Sequence, residues 1–358
     1  MLLSIKTKLK LSKTQEIIMC KHAGIARFAY NWGLATWQQL YKDGLKPNKY
    51  ILKKFFNNHV KPEFTWIKEK GICQKIAQYP FDNLGDSFSR FFSGKGGYPN
   101  FKKKGRHDSF TINASGKPIC VGGKSIKLPT IGWVKTFEGL LHTRCKSITI
   151  SRTADSWFIA FAYEQSYQPT VKKHEVVGVD LGIKQLATLS TGVVFSHPRH
   201  YKKHLEKLCR LSRKFARKVN GSNNKYKTKI HLARHHARVA NLRKNTLHQI
   251  TTYLCKNHAK IVVEDLNVSG LLANHKLAQV IADCGFYEFQ RQLEYKAKKF
   301  GCEIIIASRW FPSSKTCSNC GHIQDMPLKQ SVYNCSSCKH SIDRDLNVSI
   351  NLSRLAKA

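Results

Sequence analysis

The stretch Glu175-Val176-Val177-Gly178-Val179-Asp180-Leu181-Gly182-Ile183 decides how the chain is read. Val176, Val177 and Val179 form an apolar, β-branched run that suits a strand buried on both faces. Asp180 closes the run, where a carboxylate is held by rigid backbone yet can reach solvent or a metal ion. Gly178 and Gly182 withdraw side chains beside it, which predicts close approach by something bulky, such as a nucleic-acid backbone. Alone, the pattern favours a plain strand followed by an Asp-initiated turn. Two further acidic stretches decide between these readings.

Lys260-Ile261-Val262-Val263-Glu264-Asp265-Leu266 repeats the design, a buried-type strand ending on acids, and Cys302–Ala307 is another strand. Asp343-Arg344-Asp345-Leu346-Asn347 opens a helix running to about Ala356. Acids are favoured at a helix start by capping and by the dipole, so each of the two also fits a plain N-cap. Strands alternating with helices predict an α/β domain with a largely parallel sheet, whose strand ends lie side by side. A strand-end Asp180, a strand-end Glu264 and an acid of the last helix would then converge. Three such carboxylates can hold two Mg²⁺ ions about 3.5–4 Å apart, one activating water and one stabilising the leaving oxygen of a phosphodiester. Mg²⁺ suits hard oxygen ligands and keeps waters of its own.

Charge names the partner class. Sixty-one Lys and Arg against 22 Asp and Glu give +39, spread through the chain, and this implies a large polyanion, a nucleic acid. No membrane is expected, because the apolar runs are strand-sized and no signal segment or lipidation motif is seen. The protein should stay where it is made, in the cytoplasm and on the nucleoid in a prokaryote, and a monomer is expected. Phosphate contacts are expected from Lys102, Lys103, Lys104 and Arg106, in a basic loop spanning 98–106 that carries two aromatics. A second set, Arg234, Arg238, Arg243 and Lys244, lies along a helix spanning 225–256. Its apolar face is read as Ile230, Ala233, Ala237, Ala240, Leu247, Ile250 and Leu254.

The N-terminal part changes period twice. Leu2–Leu9 alternates as a strand, and Ser12 with Gln15 forms a capping box. A helix follows to about Asp43, its core positions read as Ile17, Ile18, Ala23, Phe28, Ala29, Trp32, Ala35, Trp37 and Leu40. More helix follows through Phe55 and over Phe81–Phe92. Short strands then run between Ser109 and Tyr163, among them Ser109–Asn113, Ser125–Leu128, Gly132–Lys135, Ser147–Arg152 and Trp157–Tyr163. Regular short strands suggest a small β-barrel. If the first strand joins it, the helices between are an insertion.

Cys317-Ser318-Asn319-Cys320 and Cys335-Ser336-Ser337-Cys338 are C-x₂-C pairs separated by 14 residues. Two such knuckles can close on one tetrahedral Zn²⁺, and four thiolates leave no open position, so the site is structural. His322 and His340 nearby read as surface residues. The ribbon lies between the Glu303–Ala307 strand and the last helix, as an insertion. The other eight cysteines are scattered and read as free, mostly packed thiols.

These motifs together resemble the OrfB/TnpB family encoded by insertion sequences, which is similar to the type V CRISPR effector nucleases. The matching pieces are V-G-V-D-L-G-I at 177–183, V-V-E-D-L at 262–266, S-S-K-T-C-S-N-C-G at 313–321 and D-R-D-L-N at 343–347. Y-P-N-F-K-K-K-G-R at 98–106 and F-Q-R-Q-L-E-Y-K-A at 289–297 add support. Val348-Ser349 and Leu352 depart from the family's usual Ala-Ala and Ile, and Lys339 from its usual Gly, without touching a proposed ligand. The resemblance implies a multidomain α/β protein whose RuvC-like nuclease domain, of RNase H fold, spans 174–308 and 341–358 and carries a zinc ribbon over 309–340. It implies a wedge-type barrel over 1–11 and 98–170, with a helical recognition insertion over 12–97. The family triad carries over to Asp180, Glu264 and Asp345, leaving Asp343 as a capping or supporting acid. Guide RNA and double-stranded DNA are the implied partners, and RNA-guided, Mg²⁺-dependent DNA cleavage for a transposable element is the implied activity. The alternatives are a strand-transfer transposase working without RNA, and a guided repressor that does not cut.

Overall fold

The computed structural model describes residues 2–69, 71–113, 119–145, 147–327 and 329–356. The chain divides into two units, Leu2–Gln165 and Ser166 onward.

In the first unit, β1 (Leu2–Lys10) is followed by α1 (Lys13–Lys42), whose Ser12/Gln15 capping box is formed on both sides. The longer of the helical segments that follow, α2 (Lys49–Phe55) and α3 (Tyr79–Phe92), precede β2 (Ser109–Asn113), β3 (Ile119–Leu128), β4 (Gly132–Cys145), β5 (Ser147–Thr153) and β6 (Ser156–Glu164). The six strands form one antiparallel sheet in the order β2-β5-β6-β1-β4-β3. β1 therefore sits inside the sheet, and α1–α3 fall in the chain between its first and second strands. β3 and β4 are longer than the sequence suggested. Gly122 and Gly123 lie within β3 where its register against β4 shifts, which is how glycines are absorbed as bulges.

Helix α1 buries Met19, Ala23, Ala26, Ala29, Tyr30, Leu34 and Trp37, a stripe at three- and four-residue spacing. Ile17 and Ala35, read as core, are exposed. At about 100° per residue both lie on the side opposite that stripe.

The second unit opens with β7 (His174–Asp180), β8 (Gln185–Leu189) and β9 (Val194–Ser196). Helices α4 (His200–Ala216) and α5 (Asn223–Asn257) follow, then β10 (His258–Glu264). After α6 (Val268–Ala273), α7 (Ala278–Cys284) and α8 (Phe286–Phe300) come β11 (Glu303–Ala307), the hairpin β12 (Val332–Asn334) and β13 (Ser341–Asp343), and α9 (Arg344–Arg354). The main sheet has the order β11-β10-β7-β8-β9. β7, β10 and β11 are parallel, but β8 and β9 run antiparallel, so the sheet is mixed. The turn between β7 and β8 is too short for a crossover, which forces the reversal.

The two faces of this sheet are covered differently. Val177, Val179, Ile261 and Val263 pack with Leu247, Ile250, Leu254, Phe289 and Leu293 of α5 and α8. Val176, Val262, Ile305 and Ala307 pack with Val348 and Leu352 of α9. The first half of α5 buries Thr228, His235 and Val239 rather than the stripe through Ile230, Ala233, Ala237 and Ala240. Alanine offers little area to bury, whereas the His235 ring meets His204 of α4 edge-on at 5.0 Å between centroids.

Candidate active site and four-cysteine ribbon

Asp180 and Glu264 end adjacent parallel strands in the same register. Val179 pairs with Val263, so each acid stands one residue past a matched pair. Period-two alternation sends both side chains to the face that carries Val176 and Val262, the face covered by α9. Gly178 lies on that face beneath α9. A β-carbon there would overlap the Ser349 carbonyl oxygen and stand 2.6 Å from the Ser353 amide and 3.0 Å from the Leu352 β-carbon. The bulky neighbour expected beside Gly178 is thus the backbone of the chain's own last helix. Ser190 fixes the glycine from the other side, its hydroxyl accepting from the Gly178 amide at 3.0 Å.

The seat brings the first turn of α9 toward the strand ends. Asp343 is its N-cap, with one carboxylate oxygen accepting from the amides of Asp345 at 3.0 Å and Leu346 at 3.1 Å. Asp345 follows in the first turn. Burial, then the charges of Asp345 and Glu264, push the Asp180 carboxyl up to about 8, partly offset by Arg344. Burial and the neighbouring Asp343 also raise Asp345, against Arg344 and Lys184. Burial dominates both shifts, and the neighbouring carboxylates add to it. Asp265, the other acid of its pair, is taken up by an ion pair with Arg309 at 2.5 Å. The Ser313 hydroxyl donates to Glu264 Oε1.

Cys317, Cys320, Cys335 and Cys338 bring their sulfurs within 4.8 Å of one another, among the described residues a group able to hold a metal. Cys317 and Cys338 are 3.7 Å apart, Cys320 and Cys335 3.6 Å. Four sulfurs at about 2.3 Å from one Zn²⁺ would stand about 3.8 Å apart, so the cluster fits the ion. The two knuckles repeat each other. The Cys317 amide donates to the His322 carbonyl at 2.8 Å and the Cys335 amide to that of His340 at 2.9 Å. The amides of Asn319 and Cys338 point at Cys317 Sγ and Cys335 Sγ, each at 3.4 Å. The apolar core of the ribbon is small, its buried cluster being Cys317, Tyr333 and Cys335.

Lys102, Lys103, Lys104 and Arg106 are exposed on their loop. Lys102 is already engaged, its ammonium 4.0 Å from the Tyr30 ring centroid and its backbone paired with Asn31. Arg234, Arg238 and Lys244 are exposed on α5. Arg243 differs, because Asp283 and the Ala282 carbonyl hold its guanidinium against the end of α7. Ser313 and Asn347 lie in the motifs quoted above but are assigned no role of their own by the sequence, and Asn351 and Lys184 are not singled out by it.

Comparison with known proteins places this geometry. The profile of OrfB_IS605, described as "Probable transposase", matches residues 158–275, and that of a "Cas12f1-like, TNB domain" matches 286–352. A profile described as "Helix-turn-helix domain" matches residues 1–46, within which the described residues form β1 and one unbroken helix rather than two helices about a turn. "Putative RNA-guided DNA endonuclease InsQ" of Escherichia coli is 32% identical over 98% of this chain and 91% of its own. A "Putative RNA-guided DNA endonuclease" of Streptomyces pristinaespiralis is 34% identical over 81% of this chain and 74% of its own. In fold, a Cas12f1 chain solved with single-guide RNA and target DNA superposes with a TM-score of 0.60 at 15% identity, covering 95% of this chain and 83% of its own. The class defined is a mixed α/β protein with the fold of the Cas12 effectors and a four-cysteine ribbon. The chain belongs to the OrfB/TnpB family of insertion-sequence proteins.

Proposed function

We propose that the chain is an RNA-guided, Mg²⁺-dependent DNA endonuclease of a transposable element, with Asp180, Glu264 and Asp345 as its cation-holding acids. The observation that carries this is their approach from two parallel strands and the first turn of α9, where burial and then the charges of Asp345 and Glu264 raise the Asp180 carboxyl to about 8. The mixed sheet, with its antiparallel β7-β8-β9 and parallel β7, β10 and β11, supports a RuvC-like domain of RNase H type. Relatives named RNA-guided DNA endonucleases support guide RNA and double-stranded DNA as partners. The same reading makes residues 1–11 and 98–170 a wedge-type barrel, 12–97 a recognition insertion and 309–340 a zinc ribbon.

The donor set is three hard carboxylates, which fits Mg²⁺. Bound divalent cations would supply water activation and charge stabilisation at the oxygen leaving phosphorus. The chain's own contribution is placement. Gly178 lets α9 seat against β7, Asp343 caps the helix so that Asp345 falls in its first turn, and Ser313 orients Glu264. Lys103, Lys104, Arg106, Arg234, Arg238 and Lys244, all exposed, supply phosphate contacts, so DNA and RNA binding should weaken steeply with salt. Zn²⁺ in the four-cysteine site closes the ribbon and takes no part in the reaction.

The test is cleavage and binding by single variants of the protein purified with its RNA. Asp180→Ala, Glu264→Ala and Asp345→Ala should each abolish Mg²⁺-dependent cutting while retaining DNA binding. Asp343→Ala, which removes a cap worth about 1 kcal/mol, should keep most of it. Full cutting by Asp345→Ala with loss in Asp343→Ala would assign the wrong acid, and full cutting by all three would end the nuclease reading.

A further inference from the structure

Ser313 joins the ribbon to the carboxylates. It is 5% exposed, so water does not compete for its hydroxyl, which donates to Glu264 Oε1. Its carbonyl accepts from Asn351 Nδ2 of α9 at 2.9 Å, and the same amide reaches the Thr316 carbonyl at 2.7 Å. One turn earlier, Asn347 donates to the Thr316 carbonyl at 2.8 Å and accepts from the Ser318 amide at 2.8 Å. Both asparagines are buried, at 0% and 2% exposure. They stand four apart on one helix face, and Thr316 and Ser318 flank Cys317. The end of β10, the first cysteine knuckle and the helix bearing Asp345 are thus one hydrogen-bonded unit.

We propose that Ser313, held in place by Asn351, is a positioning residue that fixes the Glu264 carboxylate for its cation, so that the folded ribbon sets the affinity of the carboxylate site. The inference rests on Glu264 being a cation-holding acid. A glutamate carboxyl rotates broadly about its last bond, and a donor on one oxygen fixes where the other points. Partners that orient metal-binding carboxylates commonly carry about 10–100-fold in metal affinity or activity. A ribbon displaced from α9 would release Ser313 and with it that orientation.

The experiment uses the full chain purified with its RNA and compares Ser313→Ala, Ser313→Thr, Asn351→Ala and Glu264→Gln. Two quantities are read: the Mg²⁺ concentration giving half-maximal cleavage, and the Mg²⁺ concentration that raises the melting temperature without DNA. Ser313→Ala should shift both upward by about 10–100-fold and recover near-normal rate at saturating Mg²⁺. Asn351→Ala should shift them in the same direction, and Ser313→Thr should restore them to within a few-fold. Zinc content and the thiolate absorption of a Co²⁺-loaded ribbon should not change in Ser313→Ala. An unaltered Mg²⁺ response in Ser313→Ala beside an inactive Glu264→Gln overturns the positioning role alone. A fully active Glu264→Gln overturns the role assigned to Glu264 and this inference with it.

Discussion

Gly178 and Ser349 are in contact through backbone alone: the space a β-carbon at 178 would take is filled by the Ser349 carbonyl oxygen. The close approach lets α9 lie directly on β7, two residues before Asp180. Any side chain at 178 lifts the helix and moves Asp345 away from the strand ends.

Gly178→Ala should therefore be among the most damaging single-methyl changes in the chain. Overpacking of this kind typically costs about 1–3 kcal/mol, and backbone on the far side gives little room to relax. We expect a melting temperature lower by several degrees and cleavage reduced at least about 100-fold, since a misplacement of about 1 Å can cost that much. Wild-type cleavage by Gly178→Ala would show that α9 tolerates displacement.

Asp180 links the site to pH. Its folded-state carboxyl lies near 8, against about 4 in an unfolded chain, so the cation-free fold holds a proton that the unfolded chain releases. The contribution of this group to stability is full below about pH 4 and is lost as pH rises toward 8. In chelator at pH 8, Asp180→Asn should melt a few degrees above the wild type, and the gap should close toward pH 4. Mg²⁺ should raise the melting temperature of the wild type and not of Asp180→Asn. An Asp180→Asn protein less stable than wild type in chelator at pH 8 would contradict the crowding of acids.

Elemental analysis of the purified protein should find one zinc per chain. Cys335→Ser should lose it, loosening a ribbon whose buried apolar cluster is small. The effect should reach α9 through Asn347 and Asn351, appearing as faster amide exchange in residues 344–351. A zinc-free preparation with full activity and normal exchange would remove the metal from this account.

Much of this was legible in the sequence, for identifiable reasons. The strands ending at Asp180 and Glu264 announce themselves because burial on both faces demands unbroken apolar runs, and the edge strand ending at Ala307 by its run of three isoleucines. The knuckles announce themselves by spacing. The hairpin β8-β9 does not, because its strands are short and β9 is edge-exposed. Asp343 and Asp345 cannot be told apart by position, since both begin the helix; only the amides pointing at Asp343 separate cap from neighbour. The roles of Gly178 and Ser313 depend on residues far away in the chain, which no local pattern reports. Arg243 reads as one more surface cation until Asp283 is seen beside it.

The central claim is that base pairing with a bound RNA directs the cut, and the most direct measurement is cleavage with and without that RNA. The protein is expressed with and without the DNA flanking its gene, co-purified RNA is sequenced, and matched and mismatched targets are cut in parallel. The account predicts that only the RNA-bound protein cuts, that the site pairs with the RNA, and that mismatches near the protein-read flanking motif abolish cutting. Equal, sequence-specific cutting by RNA-free protein would contradict it and make the chain a nuclease that reads DNA directly.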